Sequence, residues 1–395
     1  MKIKLLALFM AILLPLLLLH TSANASESSP ESDTYTLETV EDGSLSLNCV
    51  SALLMEASTG TVLYEQNADE MLPPASVTKV MTLLLVMEAI DSGAIKLDDT
   101  VTVSANAASM GGSQVFLKEG EQMSVEDMLK CVVIASANDA AVALAEHICG
   151  NESTFVARMN ERAKELGMVN TVFENTNGLD DTAVSHLTSA RDIAIMSREL
   201  IKHEKILEYS SIWMDTVRNG EFGLTNTNRL VRFYKGCTGL KTGSTAKAGF
   251  CISATAEREG MSLICVIMGA ESRDIRNAQA TALLDWGFAS YALYHADGGD
   301  TQPISVRGGQ KNKVNASYPE FSCILPKSEI SAVKSDISMQ TELTAPIKNG
   351  DEIGRVTYSC NGKTIGEVAI TVAEDVERLT FWQIFLRMLS IYTLK

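Results

Sequence analysis

The chain has 395 residues, 46% of them hydrophobic, and a formal net charge of −16. That length predicts two domains with ample apolar material for a large core. The acidic balance excludes a nucleic-acid partner, whose phosphates need a basic surface, and mainly favours solubility.

The N-terminus reads as an export signal. Lys2 and Lys4 precede an apolar run from Leu5 to Leu19, and Ala23-Asn24-Ala25 closes it in the small-x-small form that signal peptidase cuts. The run is short for a transmembrane helix. Cleavage after Ala25 would remove two lysines and no acid, taking the net charge from −16 to −18. Residues 26–45, rich in Ser, Glu, Asp and Thr, read as a flexible acidic spacer.

Strand patterns then begin. Ser51 to Ala57 and Val62 to Glu65 flank Ser58-Thr59-Gly60-Thr61, which predicts a hairpin. Helical or buried apolar patterns dominate from Ser76 to about His203, with segments at Val80–Ile90, Met128–Ala135, Asp139–Cys149, Ser153–Leu166 and Ser189–Leu200. Phe250 to Ala256 and Met261 to Gly269 read as two more strands, and Ala278 to Tyr294 as a final helix. Strands at both ends of this region and helices between them predict an α+β domain whose single sheet is assembled from both ends, not a βαβ repeat. Composition shifts near Gly298-Gly299-Asp300, and short β segments with turn signals continue to Val372, which predicts a small all-β domain. The tail turns helical again: Thr380, Gln383, Arg387 and Ser390 form a narrow polar stripe opposite Trp382, Phe385, Leu386, Leu389 and Tyr392. Phe381 to Leu394 is 14 residues, about 21 Å of helix, too short to span a bilayer but suited to lying in its interface. The expected division is a signal at 1–25, a spacer at 26–45, a catalytic domain at 46–297, an all-β domain at 298–375 and a membrane-surface helix at 376–395.

The sequence holds eight cysteines. Cys131, Cys251 and Cys265 lie in core-like runs, so mostly buried free thiols are expected despite the export signal. There is no CxxC and no Cys/His grouping of metal type, so neither a metal nor another cofactor is expected.

Three short motifs carry the chemistry. Ser76-Val77-Thr78-Lys79 follows Pro73-Pro74-Ala75, which fits a loop ending where a helix starts; a serine and a lysine three apart then lie one above the other. The helix that continues from Lys79 is apolar nearly all round and predicts burial, which makes an ammonium costly and favours the neutral, basic amine. Ser136-Ala137-Asn138 falls between two helical runs, and Lys241-Thr242-Gly243 precedes a strand. Residues 76 and 136 are 60 apart and residues 138 and 241 are 103 apart, so only a folded site unites them.

Ser-x-x-Lys, Ser-x-Asn and Lys-Thr-Gly in this order resemble the low-molecular-mass penicillin-binding proteins that are serine-type D-Ala-D-Ala carboxypeptidases. The resemblance extends to Asn177-Gly178-Leu179-Asp180, Ser189-Ala190-Arg191-Asp192, Val266-Ile267-Met268-Gly269 and Leu284-Asp285-Trp286-Gly287-Phe288, and covers nearly the whole chain. Ala137 stands where many members carry Gly, and Ser244 where many carry a bulkier residue. The resemblance implies a β-lactamase/transpeptidase-like α+β fold, an antiparallel sheet with helices, followed by the all-β domain and the amphipathic helix. It implies removal of the terminal D-Ala from peptidoglycan pentapeptide stems through a Ser76 acyl-enzyme, and covalent capture of β-lactams. Lys79 would be the base, activated by burial and by the charge of Lys241; Ser136 would relay a proton from Lys79 to the leaving amine; Asn138 would hold the substrate backbone and orient Lys79. Lys241 and Thr242 would attract the terminal carboxylate, with Gly243 beside them and Arg276 in support. By resemblance, the oxyanion would be met by the backbone N–H groups of Ser76 and Ser244. None of His147, His186, His203 or His295 sits in a triad-like context, so each is expected to be structural or on the surface.

Three other readings share parts of this pattern. A class A β-lactamase needs a Glu-x-x-Leu-Asn loop between the second and third motifs, yet Leu47-Asn48, before Ser76, is the sequence's one Leu-Asn pair. A transpeptidase differs only in passing the acyl group to an amine instead of water. A catalytically dead cell-wall binding module would have lost at least one of Ser76, Lys79, Ser136, Asn138 and Lys241, and all five are present. The expected location is the outer face of the cytoplasmic membrane, held through residues 376–395.

Overall fold

The computed structural model describes Leu45, residues 47–180 and residues 183–393, with side chains to residue 390. The expected signal segment and nearly all of the spacer lie outside the described residues.

A five-stranded antiparallel sheet forms the centre of the first domain. Its strands are β1 (Ser51–Glu56), β2 (Val62–Gln66), β3 (Cys237–Thr245), β4 (Gly249–Arg258) and β5 (Met261–Ala270), in the order β2-β1-β5-β4-β3. The two ends of the domain meet where β1 pairs with β5, Leu53 opposite Val266. Both faces are covered, so successive residues of one strand enter opposite cores. Leu53, Met55, Val266 and Met268 face a large helical layer. Leu54, Leu263, Cys265 and Ile267 face the layer that contains Leu283, Leu284 and Phe288.

The helical layer is organised around α1 (Lys79–Asp91). All of its residues from Lys79 to Met87 are buried, which an all-round apolar helix requires. Around it lie α2 (Val125–Val133), α3 (Asn138–Cys149), α4 (Glu152–Glu165) and α5 (Ala190–Leu200), the last two N-capped by Asn151 and Ser189. The opposite face is covered by α6 (Arg273–Ser290), N-capped by Ser272.

Two elements of this first domain depart from the sequence reading. The final helix starts at Arg273 and ends at Ser290, and Tyr291–Ala296 is a strand paired with Phe321–Pro326. The charged opening RDIRNAQ concealed the helix start, while the aromatic and β-branched-poor segment YALY reads equally as either state. Cys237–Thr245 was not expected as a strand: CTGLKTGST has two glycines and no apolar alternation, yet it forms an edge of the sheet.

Beyond residue 290 the chain is β-rich. A long hairpin, Glu352–Cys360 with Lys363–Val372, is the middle of a second five-stranded sheet. Its separate core gathers Ile304, Val306, Val356, Tyr358 and Ile370, with Phe321 stacked on Tyr358 at 4.3 Å. The last helix runs Phe381–Thr393, later than the expected start at Val376, which instead bridges to Ile347. No helix among the described residues is long and apolar enough to cross a membrane. All eight cysteines are free thiols; Cys131, Cys251, Cys265 and Cys360 are buried and the other four partly so.

Candidate active site

The three motifs come from three different elements and meet in one cleft. Pro73 and Pro74 lead into a single turn of 3-10 helix, Ala75–Thr78, and α1 follows without a break from Lys79. Ala75 holds a left-handed backbone, φ +47°, immediately before Ser76. Ser136 is also left-handed, φ +62°, and α3 starts two residues later at Asn138. Two non-glycine residues in a sparsely populated region, each beside a motif serine, is the strain expected where a scaffold overrules local preference. The third motif lies along β3, packed against the 75–78 turn. A Cβ at Gly243 would come within 2.7 Å of Ser76 N and 2.9 Å of Val77 N, so only glycine lets the strand backbone approach this closely.

Lys79 is fully buried, and its side chain has three polar neighbours. Nζ lies 2.6 Å from Asn138 Oδ1, 2.7 Å from the Asn177 carbonyl and 3.0 Å from Ser76 Oγ. The Asn138 amide orientation is fixed because its Nδ2 donates to Gly111 O at 2.7 Å. Two of the three neighbours therefore accept and cannot donate. A neutral amine has two N–H bonds and one lone pair. With both N–H groups committed to Asn138 and Asn177, the lone pair is left for the Ser76 hydroxyl. Burial pushes the Lys79 pKa well below the usual lysine value; the charge of Lys241 adds to this and the buried Asp139 carboxylate opposes it.

Asp139 does a separate job. Its carboxylate accepts the N–H groups of Val115, Leu117 and Ala140, while Asn138 N donates to Ser113 O at 2.7 Å. The adjoining pair thus fastens the 111–117 loop over the cleft.

Lys241 is also fully buried. Nζ donates to Ser136 Oγ at 2.8 Å and to Thr242 O at 2.9 Å, and Thr242 Oγ1 bonds Thr227 Oγ1 at 2.8 Å. Ser136 is thus joined to Lys241, whereas the sequence reading had it receive a proton from Lys79. Desolvation, with the charge of Arg276 second, brings the Lys241 pKa down to about 7. Arg276 is 3% exposed, and burial lowers its own pKa to about 10. Its guanidinium bonds neutral acceptors, Asn277 Oδ1 at 2.9 Å and Cys251 O at 3.4 Å, which leaves its positive charge available to an anion.

The cleft has a volume of about 520 Å³ and is lined by Ser76, Ser136, Thr242, Gly243, Ser244 and Arg276 among others. Asn138 and Lys241 lie beneath it, bonded to the lining serine hydroxyls or to their partners. Further lining residues had escaped the sequence reading. Trp213, Thr227, Arg229 and Arg273 come from loops and a helix start that carry no motif. In the sequence Asn177 stands out only as part of a family-like stretch, since a backbone carbonyl leaves no trace in residue type. Groups of three or more metal-ligating side chains are absent among the described residues. The arrangement can deprotonate a serine, attract a carboxylate through the buried Arg276 charge and pass a proton through a second serine.

Comparison with known proteins agrees in extent. The D-alanyl-D-alanine carboxypeptidase family pattern matches residues 38–272, and the C-terminal domain of penicillin-binding protein 5 matches residues 290–378. The D-alanyl-D-alanine carboxypeptidase DacF of Bacillus subtilis is 42% identical over 350 residues, covering 87% of this chain and 90% of the relative. The structure of penicillin binding protein 5 from Haemophilus influenzae is similar with a TM-score of 0.75 at 33% identity, covering 84% of this chain and 98% of that one. Penicillin-binding protein D2 from Listeria monocytogenes, in its ampicillin-bound form, is similar with a TM-score of 0.57 at 33% identity, covering 62% of this chain and 99% of that one.

Proposed function

The chain belongs to the D-alanyl-D-alanine carboxypeptidase family and is a serine hydrolase of that type, and from that premise we propose how its residues divide the work. Ser76 Oγ attacks the carbonyl between the two D-alanines as Lys79 Nζ takes its proton. The observation that carries this is the pair of fixed acceptors on Lys79, which leaves its lone pair no partner other than the Ser76 hydroxyl. The N–H groups of Ser76 and Ser244 receive the developing oxyanion, since Gly243 brings the β3 backbone against the Ser76 turn. Lys241, Thr242 and Arg276 bind the terminal carboxylate, and Asn138 holds the acyl backbone as well as Lys79. Ser136 passes a proton to the departing amine. Its bond to Lys241 Nζ, whose pKa near 7 suits proton exchange at neutral pH, makes Lys241 the immediate donor to that relay. Water then resolves the acyl-enzyme: its proton passes through Ser136 to the now neutral Lys241, and Lys79 returns its proton to Ser76 Oγ as the acyl group leaves, so both amines end as they began. A β-lactam acylates the same serine and stays.

We assign catalysis to residues 46–297, an all-β domain to 298–375 and membrane contact to 376–395 in an exported protein. The last helix supports that contact. Phe381, Trp382, Leu386 and Met388 are all more than half exposed, and Arg387 on the polar stripe bonds Gln310 O and Asn312 Oδ1 at the protein surface. A helix tied to its own protein through a polar-stripe arginine, with large apolar side chains exposed, suits a lipid interface.

The test is D-alanine release from an acyl-D-Ala-D-Ala peptide by the purified protein, with Ser76→Ala as control. Release no greater than the control refutes the assignment, as does a labelled penicillin that still tags Ser76→Ala.

A further inference from the structure

His186 lies outside the three motifs, yet it holds the turn on which Ser76 sits. It is buried against Phe173, ring centroids 5.7 Å apart, and both of its nitrogens are committed. The backbone N–H of Glu174 donates to Nδ1 at 2.9 Å, so Nδ1 carries a lone pair and the ring proton sits on Nε2. Nε2 lies 2.7 Å from Thr78 Oγ1 and donates to it. Thr78 Oγ1 in turn donates to the carbonyl of Ala75 at 2.8 Å. The chain of donors is therefore Glu174 N–H, His186 Nε2–H and Thr78 O–H, ending on the residue that precedes Ser76. Burial pushes the imidazole pKa down to about 4, against a smaller opposing pull from Glu174, so the neutral ring this chain requires is the form present at neutral pH.

The other end of the same turn is tied to the same segment. Leu72 exchanges both backbone hydrogen bonds with Thr188, at 2.8 and 3.0 Å. The segment is held rigid by the Glu174 carboxylate, which accepts the N–H groups of Val184 and Ser185, and by the pairing of Leu187 with Val172. Between the two ties lie Pro73 and Pro74, which have no N–H to contribute, and Ala75 in its left-handed backbone. Little within the turn itself can set its shape, and the clamp supplies what the turn lacks.

We propose that His186 is a positioning residue for acylation: through Thr78 it locks the Ala75–Thr78 turn and so fixes Ser76 Oγ in line with Lys79. This rests on Ser76 being the nucleophile. The clamp acts on geometry at the reacting atoms and not on the carboxylate site across the cleft, so its loss slows the bond-forming step and leaves ligand affinity intact.

The experiment uses the full-length protein and a labelled penicillin, with the acylation rate constant and the dissociation constant of the initial complex resolved by rapid mixing. His186→Phe keeps the ring volume without the donor, His186→Gln keeps a donor near Nε2, and Thr78→Val removes the hydroxyl at constant shape. We expect His186→Phe and Thr78→Val each to lower the rate constant by about tenfold or more, with the dissociation constant changed less than about twofold. His186→Gln should stay within about threefold of wild type, and the Phe/Val double variant should lose no more than the worse single variant. Equal rates for His186→Gln and His186→Phe, additive losses in the double variant, or a loss confined to affinity would each overturn the proposal. Should the histidine variants fail to fold, Thr78→Val alone decides, a wild-type rate refuting the clamp. Wild-type protein tagged elsewhere than at Ser76 would sink the nucleophile assignment instead, whatever the variants do.

Discussion

Replacing Lys241 by Met should abolish activity and at the same time stabilise the fold. In the folded protein the Lys241 pKa is about 7, against roughly 10.4 for a lysine in the unfolded chain. At pH 7 the unfolded state therefore binds more protons than the native state, and folding carries a penalty of about 4 kcal/mol from this one group. The substitution removes the penalty. It also removes the two hydrogen bonds to Ser136 Oγ and Thr242 O, a loss of about 1 kcal/mol each. The net gain of about 2 kcal/mol should raise the unfolding midpoint of the catalytic domain by about 4–8 °C. The pH dependence is the sharper signature. A folded pKa depressed below the unfolded one means that wild-type stability from this group is complete above about pH 10.4 and is lost as pH falls toward 7. The advantage of the variant should thus be largest at and below pH 7, fall to zero near about pH 9 as the penalty drops to the size of the lost hydrogen bonds, and reverse to a deficit of about 2 kcal/mol above about pH 10.4. Calorimetry across that range, beside D-alanine release, is the assay. A variant less stable than wild type at pH 7, or a difference independent of pH, would show that Lys241 is not held in the desolvated state described here.

Three other outcomes are expected. Gly178→Ala would place a Cβ 1.8 Å from Ala75 O at a φ of +84°, so the 75–78 turn must move and penicillin acylation should fall by about 100-fold or more, a loss of about 3 kcal/mol in transition-state stabilisation. Asn138→Leu, which removes the 2.6 Å acceptor on Lys79, should cost about 1–3 kcal/mol of stability and slow acylation by about ten- to a hundredfold; an acylation rate unchanged in the melted-down variant would deny Asn138 any part in aiming the amine. Deleting residues 376–395 should move the protein from membranes to the soluble fraction with activity intact, and continued pelleting of the truncated protein would count against the anchor.

Much of this molecule is legible in its residue types alone. The apolar run after Lys79 left no place for its helix except the interior, and that alone forecast a buried, weakly charged amine three residues from a serine. The hairpin at Ser51 and the strands at Phe250 and Met261 announced a sheet closed from both ends, because period and turn chemistry act over a few residues and are written in them. What the sequence withheld has a common physical character. β3 showed no alternation because its glycines serve close approach and not burial. Arg229, Arg273 and the Asn177 carbonyl reach the cleft from distant segments, and His186 gains its role only from being folded against a turn 108 positions away. Ser136 pairs with Lys241 rather than Lys79 by a matter of side-chain direction. Local order follows from neighbours along the chain, so residue types determine it; the approach of two buried amines, each to within 3.0 Å of its own serine hydroxyl, follows from how whole layers pack, and tertiary structure alone decides it.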